Sequence, residues 1–171
     1  MKNFISVGVT VVAMATAVLF SAPGSAQATT AGAFHNYETE KCLVPYGNSD
    51  SDGANLVQYR CSGSVDQKWH MGTDNQGRNT IVNNNGKCMT LFGGATDPGT
   101  YLVQYRCNNS TAQVWVTDTA GDIIYDGWRY IPDGGGRNLC ASVLGGSFED
   151  NAQITAWTCN GQILYEEWSW Y

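Results

Sequence analysis

The sequence predicts an all-β fold built from three similar units closed around a common axis, and three observations lead there. Cys42 and Cys61, Cys88 and Cys107, and Cys140 and Cys159 are each 19 positions apart, and together they are all six cysteines of the 171-residue chain. A spacing copied three times is the trace of an internally triplicated fold. Short runs of β-branched, aromatic and aliphatic residues alternate with clusters of Gly, Asn and Asp, which reads as short strands joined by tight turns. After position 28 no stretch keeps apolar residues at three-and-four spacing over about 11 residues, the pattern that marks a helix. Many short strands suit a barrel or a sandwich, and three copies favour a closed threefold arrangement.

The first element is an export signal: Lys2, an apolar run from Phe4 to Phe20, then small residues ending in Ala26-Gln27-Ala28. Residues 1–28 are expected to be a signal peptide cleaved after Ala28. A membrane anchor is the competing reading, but the run is at the short edge of the ~17–25 residues a span needs, and Pro23 and Gly24 follow it. Cleavage leaves 171 − 28 = 143 residues, which divide into a short segment 29–33 and one domain over 34–171. That length supports one hydrophobic core rather than two. The mature protein is expected to be secreted, with no later stretch apolar enough to enter a bilayer.

Within the domain, strands are expected at Leu56–Cys61, Thr80–Asn83, Leu102–Cys107, Val114–Thr117, Asp122–Tyr125 and Gln153–Cys159. Turns fall at Asn48–Asn55, Asp74–Arg78, Asn83–Gly86, Gly93–Gly99, Asp133–Gly136 and Gly145–Gly146, where Gly, Asn and Asp supply left-handed backbone and local hydrogen bonds. The repeat extends beyond cysteine. Lys41-Cys42-Leu43 leads to Leu56-Val57-Gln58-Tyr59-Arg60-Cys61 and Gln67-Lys68-Trp69, and Lys87-Cys88-Met89 leads to Leu102-Val103-Gln104-Tyr105-Arg106-Cys107 and Gln113-Val114-Trp115. The third copy has drifted, with Leu139-Cys140-Ala141, Ile154-Thr155-Ala156-Trp157-Thr158-Cys159 and Glu166-Glu167-Trp168. The units run over about 34–80, 81–129 and 130–171.

Six cysteines behind an export signal read as disulfides in an oxidising compartment. A metal cluster is the alternative, but such sites use close pairs such as Cys-x-x-Cys, and none is present. Six cysteines allow 15 pairings. Equivalent positions in equivalent units pair equivalently, which selects Cys42–Cys61, Cys88–Cys107 and Cys140–Cys159. In the chain-entropy account each such loop contributes about 3 kcal/mol. The formal charge of −6 becomes 8 − 15 = −7 without Lys2, and an acidic surface repels phosphate backbones and anionic lipids. Nucleic acid is therefore excluded as a partner, and no cofactor or metal is expected.

The order cysteine, Gly/Asn/Asp-rich loop, aromatic two before the second cysteine, then Gln-x-Trp, repeated three times, resembles the ricin B-type (R-type) lectin domain over essentially all of 34–171. The resemblance implies a β-trefoil: twelve strands in three units, with a shallow sugar pocket in each. It also implies that Trp69, Trp115 and Trp168 are buried scaffold rather than binding surface. In that family an aromatic stacks on the sugar ring, and a carboxylate two residues after the first cysteine grips paired hydroxyls. The aromatics are Tyr59, Tyr105 and Trp157, whereas the carboxylate positions hold Val44, Thr90 and Ser142. Galactose recognition of the usual kind is therefore not implied. The residue before Gln is Asp66 in the first unit, Ala112 in the second and, before Glu166, Tyr165 in the third.

The candidate carbohydrate-binding residues are accordingly Tyr59, Asp66, Gln67, Tyr105 and Trp157, with Asp50 and Asp52 above the first site and Glu149, Asp150 and Asn151 as substitute ligands in the third. Packing against the adjacent disulfide is the competing role for each aromatic. No catalytic residue is expected. His35 and His70 stand in no nucleophile or metal motif, and no Gly-x-Ser-x-Gly elbow occurs. Asp50/Asp52, Glu149/Asp150 and Glu166/Glu167 could in spacing serve glycoside hydrolysis, but solvated loop charge is the expected role. Asn108-Asn109-Ser110-Thr111 contains glycosylation-type sequons. The function expected is a non-catalytic, glycan- or polysaccharide-binding module. The alternative is a disulfide-stapled trefoil that has lost sugar binding and serves as a protein-interaction, inhibitor or toxin-accessory module.

Overall fold

The computed structural model describes residues 31–119, 121–127, 138–159 and 164–170. The expected signal peptide and the turn at Asp133–Gly136 lie outside the described residues. Among the described residues there are twelve strands. The first unit holds β1 (Phe34–Asn36), β2 (Lys41–Pro45), β3 (Leu56–Arg60) and β4 (Trp69–Thr73). The second holds β5 (Asn79–Asn83), β6 (Lys87–Leu91), β7 (Thr100–Arg106) and β8 (Trp115–Thr117), and the third β9 (Ile123–Tyr125), β10 (Leu139–Val143), β11 (Ile154–Thr158) and β12 (Trp168–Trp170). Every expected strand is found, within one or two residues of its ends. Three-residue 3₁₀ turns are the only helical elements among the described residues, and none is long and apolar enough to cross a membrane.

All pairings between strands are antiparallel. In each unit the middle strands form a hairpin (β2–β3, β6–β7, β10–β11), and the outer strands pair with the next unit (β4–β5, β8–β9). Phe34 of β1 faces Trp170 of β12 in register, so the first and last units close the ring without leaving open edges there. This is the β-trefoil that the resemblance implies, and the three disulfides join the cysteines that the repeat pairs.

The tryptophans explain why the repeat keeps its third motif. Trp69, Trp115 and Trp168 are buried, and each indole Nε1–H donates to the carbonyl of the residue after its unit's first cysteine: Leu43 at 3.1 Å, Met89 at 3.0 Å and Ala141 at 2.9 Å. Each ring thus fills the core while its only polar atom ties the last strand of the unit to the hairpin. Around them Leu43, Met89, Leu56, Leu102, Ile154, Ile81 and Ile123 complete one central cluster. On the pseudo-threefold axis, Gln153 Nε2 lies 2.9 Å from the Leu56 carbonyl, 3.3 Å from that of Leu102 and 2.7 Å from that of Ile154. Those carbonyls come from equivalent positions of all three units, and one amide supplies the donor they share.

Candidate functional site

Each hairpin builds a cleft on its outer face. Directly opposite residues of an antiparallel pair share one face of the sheet. The register sets Cys42 against Tyr59 and Val44 against Val57, Cys88 against Tyr105 and Thr90 against Val103, and Cys140 against Trp157 and Ser142 against Thr155. The aromatic therefore stands beside its disulfide and over a small buried pair. Beyond β2, β6 and β10 the chain enters a 3₁₀ turn whose middle residue is Gly47, Gly93 or Gly145, at φ 64°, 62° and 64°. This left-handed residue throws Tyr46, Phe92 and Leu144 outward as the opposite wall, all exposed.

The first cleft, about 420 Å³, is lined by Val44, Pro45, Tyr46, Asn48, Tyr59 and Asn151. The second, about 390 Å³, includes Thr90, Phe92, Tyr105, Asn108, Ala112 and Gly53. The third, about 270 Å³, includes Ser142, Leu144, Thr155, Trp157 and Tyr165. Tyr59 is 37% exposed and Trp157 45%, so both aromatics pack on the scaffold and still present ring surface.

The hairpin loops do not close over their own unit, which corrects the expected placing of the loop acids. Each crosses to the neighbouring hairpin. Asn151 of the third unit donates its N–H to the Gln58 carbonyl of the first at 2.8 Å, Gly53 of the first to Gln104 of the second at 2.8 Å, and Gly99 of the second to Ala156 of the third at 2.8 Å. Asn151, Gly53 and Gly99 all have positive φ, the turn conformation Gly and Asn tolerate. Gly99 is further constrained: a Cβ there would lie 3.2 Å from the Trp157 ring. Asp50 and Asp52 therefore reach the second unit rather than staying over the first, and Asp150 and Asn151 reach the first rather than the third; of the four, only Asn151 lines a cleft, that of Tyr59.

Two of the three junctions carry a polar clamp. Asp150 accepts from Lys41 Nζ at 2.8 Å and from Arg60 Nε and Nη2 at 3.1 and 2.8 Å. Lys41 first, then Arg60, hold its carboxyl at about 2, below the usual 3.8. Asp52 likewise accepts from Lys87 Nζ at 2.7 Å and from the Arg106 backbone N–H at 2.9 Å, and Lys87 is the chief reason its pKa is lowered. The arginines lie over the platform rings, Arg60 Cζ 5.5 Å from the Tyr59 centroid and Arg106 Cζ 5.3 Å from that of Tyr105. Behind them, Gln58 Nε2 donates to Ser147 and Glu149 carbonyls at 2.7 and 3.0 Å, and Gln104 Nε2 to Ser49 and Ser51 carbonyls at 2.6 and 2.9 Å.

Of the expected binding residues, Tyr59, Tyr105 and Trp157 each stand in one cleft. Gln67 is buried, accepts from the Ser62 and Gly63 N–H groups at 2.8 and 3.2 Å and donates to the Arg60 carbonyl at 2.8 Å, so its amide holds the end of β3. Asp66 sits on the same 3₁₀ turn, Val65–Gln67, outside the lining of the Tyr59 cleft, whereas its equivalents Ala112 and Tyr165 line theirs. Glu166 departs from the expected solvated charge: it is 1% exposed, in the slot that Gln67 and Gln113 fill elsewhere. Sequence reasoning passed over Tyr46, Phe92 and Leu144, which share one offset from the first cysteine and were visible in the repeat.

A ricin-type beta-trefoil lectin domain matches residues 30–129. The fold is similar to the crystal structure of a designed 3-fold symmetric protein, ThreeFoil, at 22% identity and TM-score 0.69 over 82% of this chain and 96% of that one. It is also similar to the agglutinin from Abrus precatorius, at 23% identity and TM-score 0.65 over 88% of this chain and 51% of that one, about half its length. The earthworm R-type lectin C-half in complex with GalNAc aligns at 15% identity and TM-score 0.62, over 82% and 96% of the two chains. No curated protein matches the chain. By the matched domain, the chain belongs to the ricin-type β-trefoil lectin family.

Proposed function

We propose that this protein is a secreted, non-catalytic carbohydrate-binding module whose ligands stack on Tyr59, Tyr105 and Trp157. One observation carries the reading: an aromatic backed by a disulfide and faced by a rim residue across a cleft occurs three times, exposed at Tyr59 and Trp157 and half-buried at Tyr105. A pyranose has an apolar face for the ring and hydroxyls for the rim amides, and Asn48 and Asn151 supply those in the first cleft. Gln67 acts by positioning the end of β3 that carries Tyr59, and Asp66 shares its turn. The nearby carboxylates support a non-catalytic role. A glycosidase acid needs a raised pKa, and Asp52 and Asp150 are pushed the other way by Lys87 and Lys41. Asp122, whose pKa burial raises, lines none of the three clefts.

A second reading, a trefoil that binds protein instead of sugar, draws on the anchor positions: Val44, Thr90 and Ser142 are all buried and none is a carboxylate. A glycan array on the purified mature protein separates the two. Binding is expected, and Tyr59→Ala or Trp157→Ala is expected to weaken it by roughly tenfold where that ring stacks. Silence across the array would overturn the lectin reading in favour of the second.

A further inference from the structure

The floor of the first cleft differs from what a hydroxyl-gripping site needs. Val44 and Val57 are directly opposed on β2 and β3, 4% and 2% exposed, and belong to the outer face that carries Cys42 and Tyr59 rather than to the central cluster. Val44 lines the cleft between Pro45, Tyr46 and Tyr59, and no lining residue is charged. The acids nearest in sequence are engaged elsewhere, Asp150 with Lys41 and Arg60, and Asp50 with the Asn85 side chain of the second unit. Polar partners are confined to the rim, at Asn48 and Asn151 and the two phenols. A sugar hydroxyl pressed onto Val44 would lose its water and find no replacement, whereas a methyl group there would bury apolar surface.

The other floors are not the same. In the second cleft Thr90 Oγ1 donates to the Cys88 carbonyl at 2.8 Å and accepts from Gln113 Nε2 at 3.0 Å, so its hydroxyl already serves the scaffold. In the third, Ser142 and Thr155 place two hydroxyl-bearing residues at the floor. We infer that Val44 makes the first cleft selective for a sugar that turns a methyl group inward, as a 6-deoxy carbon or an acetyl group. This rests on the carbohydrate-binding reading, and it assigns to Val44 a choice between ligands rather than binding itself.

Matched sugar pairs test it by titration of the assigned amide spectrum of the full mature protein, following Val44–Asn48 for the first cleft and Trp157 for the third. One arm compares methyl glycosides of D-fucose with D-galactose and of D-quinovose with D-glucose. The other compares N-acetylgalactosamine with galactose and N-acetylglucosamine with glucose, which separates the 6-deoxy from the acetyl source. At least one methyl-bearing member is expected to bind the first cleft about tenfold more tightly than its parent. Val44→Thr, the residue the second unit carries there, should shrink that ratio and leave the third cleft unchanged. Equal affinity within every pair, a preference for the parent, or a ratio indifferent to Val44→Thr overturns the inference. So does a first cleft silent to all sugars while another responds, which leaves the carbohydrate-binding reading standing. Silence at every cleft removes that reading and this one together.

Discussion

The junctions between the third and first units and between the first and second are held by the same four side chains, and the junction between the second and third by none of them. Asp150, Lys41, Arg60 and Gln58 form one clamp, and Asp52, Lys87, Arg106 and Gln104 form the other. At the equivalent positions of the remaining junction stand Pro98, Leu139, Thr158 and Ala156. The backbone bond survives there, Gly99 N–H to Ala156 carbonyl at 2.8 Å, so the trefoil does not need the clamp. The set changed together for a physical reason. Losing one ion-pair member alone would leave a half-paired charge, whereas Pro98, Leu139 and Thr158 replace the acid and both cations together, and the Thr100 hydroxyl donates to the Asp97 loop carbonyl at 2.7 Å where no glutamine reaches it. The consequence is local to the ligand surface: Tyr59 and Tyr105 lie under clamped arginines, while Trp157 rests on Gly99.

The largest effects are expected where the three units behave alike. Trp69→Ala, Trp115→Ala and Trp168→Ala are each expected to destabilise the protein by about 3–5 kcal/mol, measured by urea unfolding. A third-unit loss far below the other two would break the claim that scaffold equivalence outlived the drift. Where the units should differ, Gln58→Ala and Gln104→Ala are expected to lose about 1–3 kcal/mol each, because each strands two loop carbonyls. No change in either would mean that the backbone bonds alone hold the loops at all three junctions.

The smallest effect belongs to the ion pairs, which are exposed on the arginine side and screened by salt. The folded pKa of Asp150 lies below its usual value, so folding favours the ionised carboxylate. Its contribution is fully present above 3.8 and disappears as pH falls through about 2. Thermal unfolding of the wild type and Asp150→Asn at low salt should therefore differ at neutral pH and converge near the acid end of that window. A gap that persists at pH about 2 would show that the asparagine acts through packing instead.

Much of this molecule is legible in its own internal alignment. The cysteine pairing, the buried tryptophans and the strands before each second cysteine follow from three copies of one pattern. The loop acids were assigned to their own units because a sequence is linear, and nothing in the Gly- and Asp-rich stretch says that it crosses to the next hairpin. Even so, the clamp left a trace: where Asp becomes Pro98, the lysine and arginine positions become Leu139 and Thr158 in the same unit pair.

The scaffold is written in the chain, since periodic cysteines, Gln-x-Trp motifs and turn residues act through contacts within one unit and repeat whenever the unit repeats. Which residues share a cleft emerges when the units pack together. Closing three units into a ring brings the loop of one against the hairpin of another, and it is that packing that put Asn151 beside Tyr59 and Gly99 under Trp157.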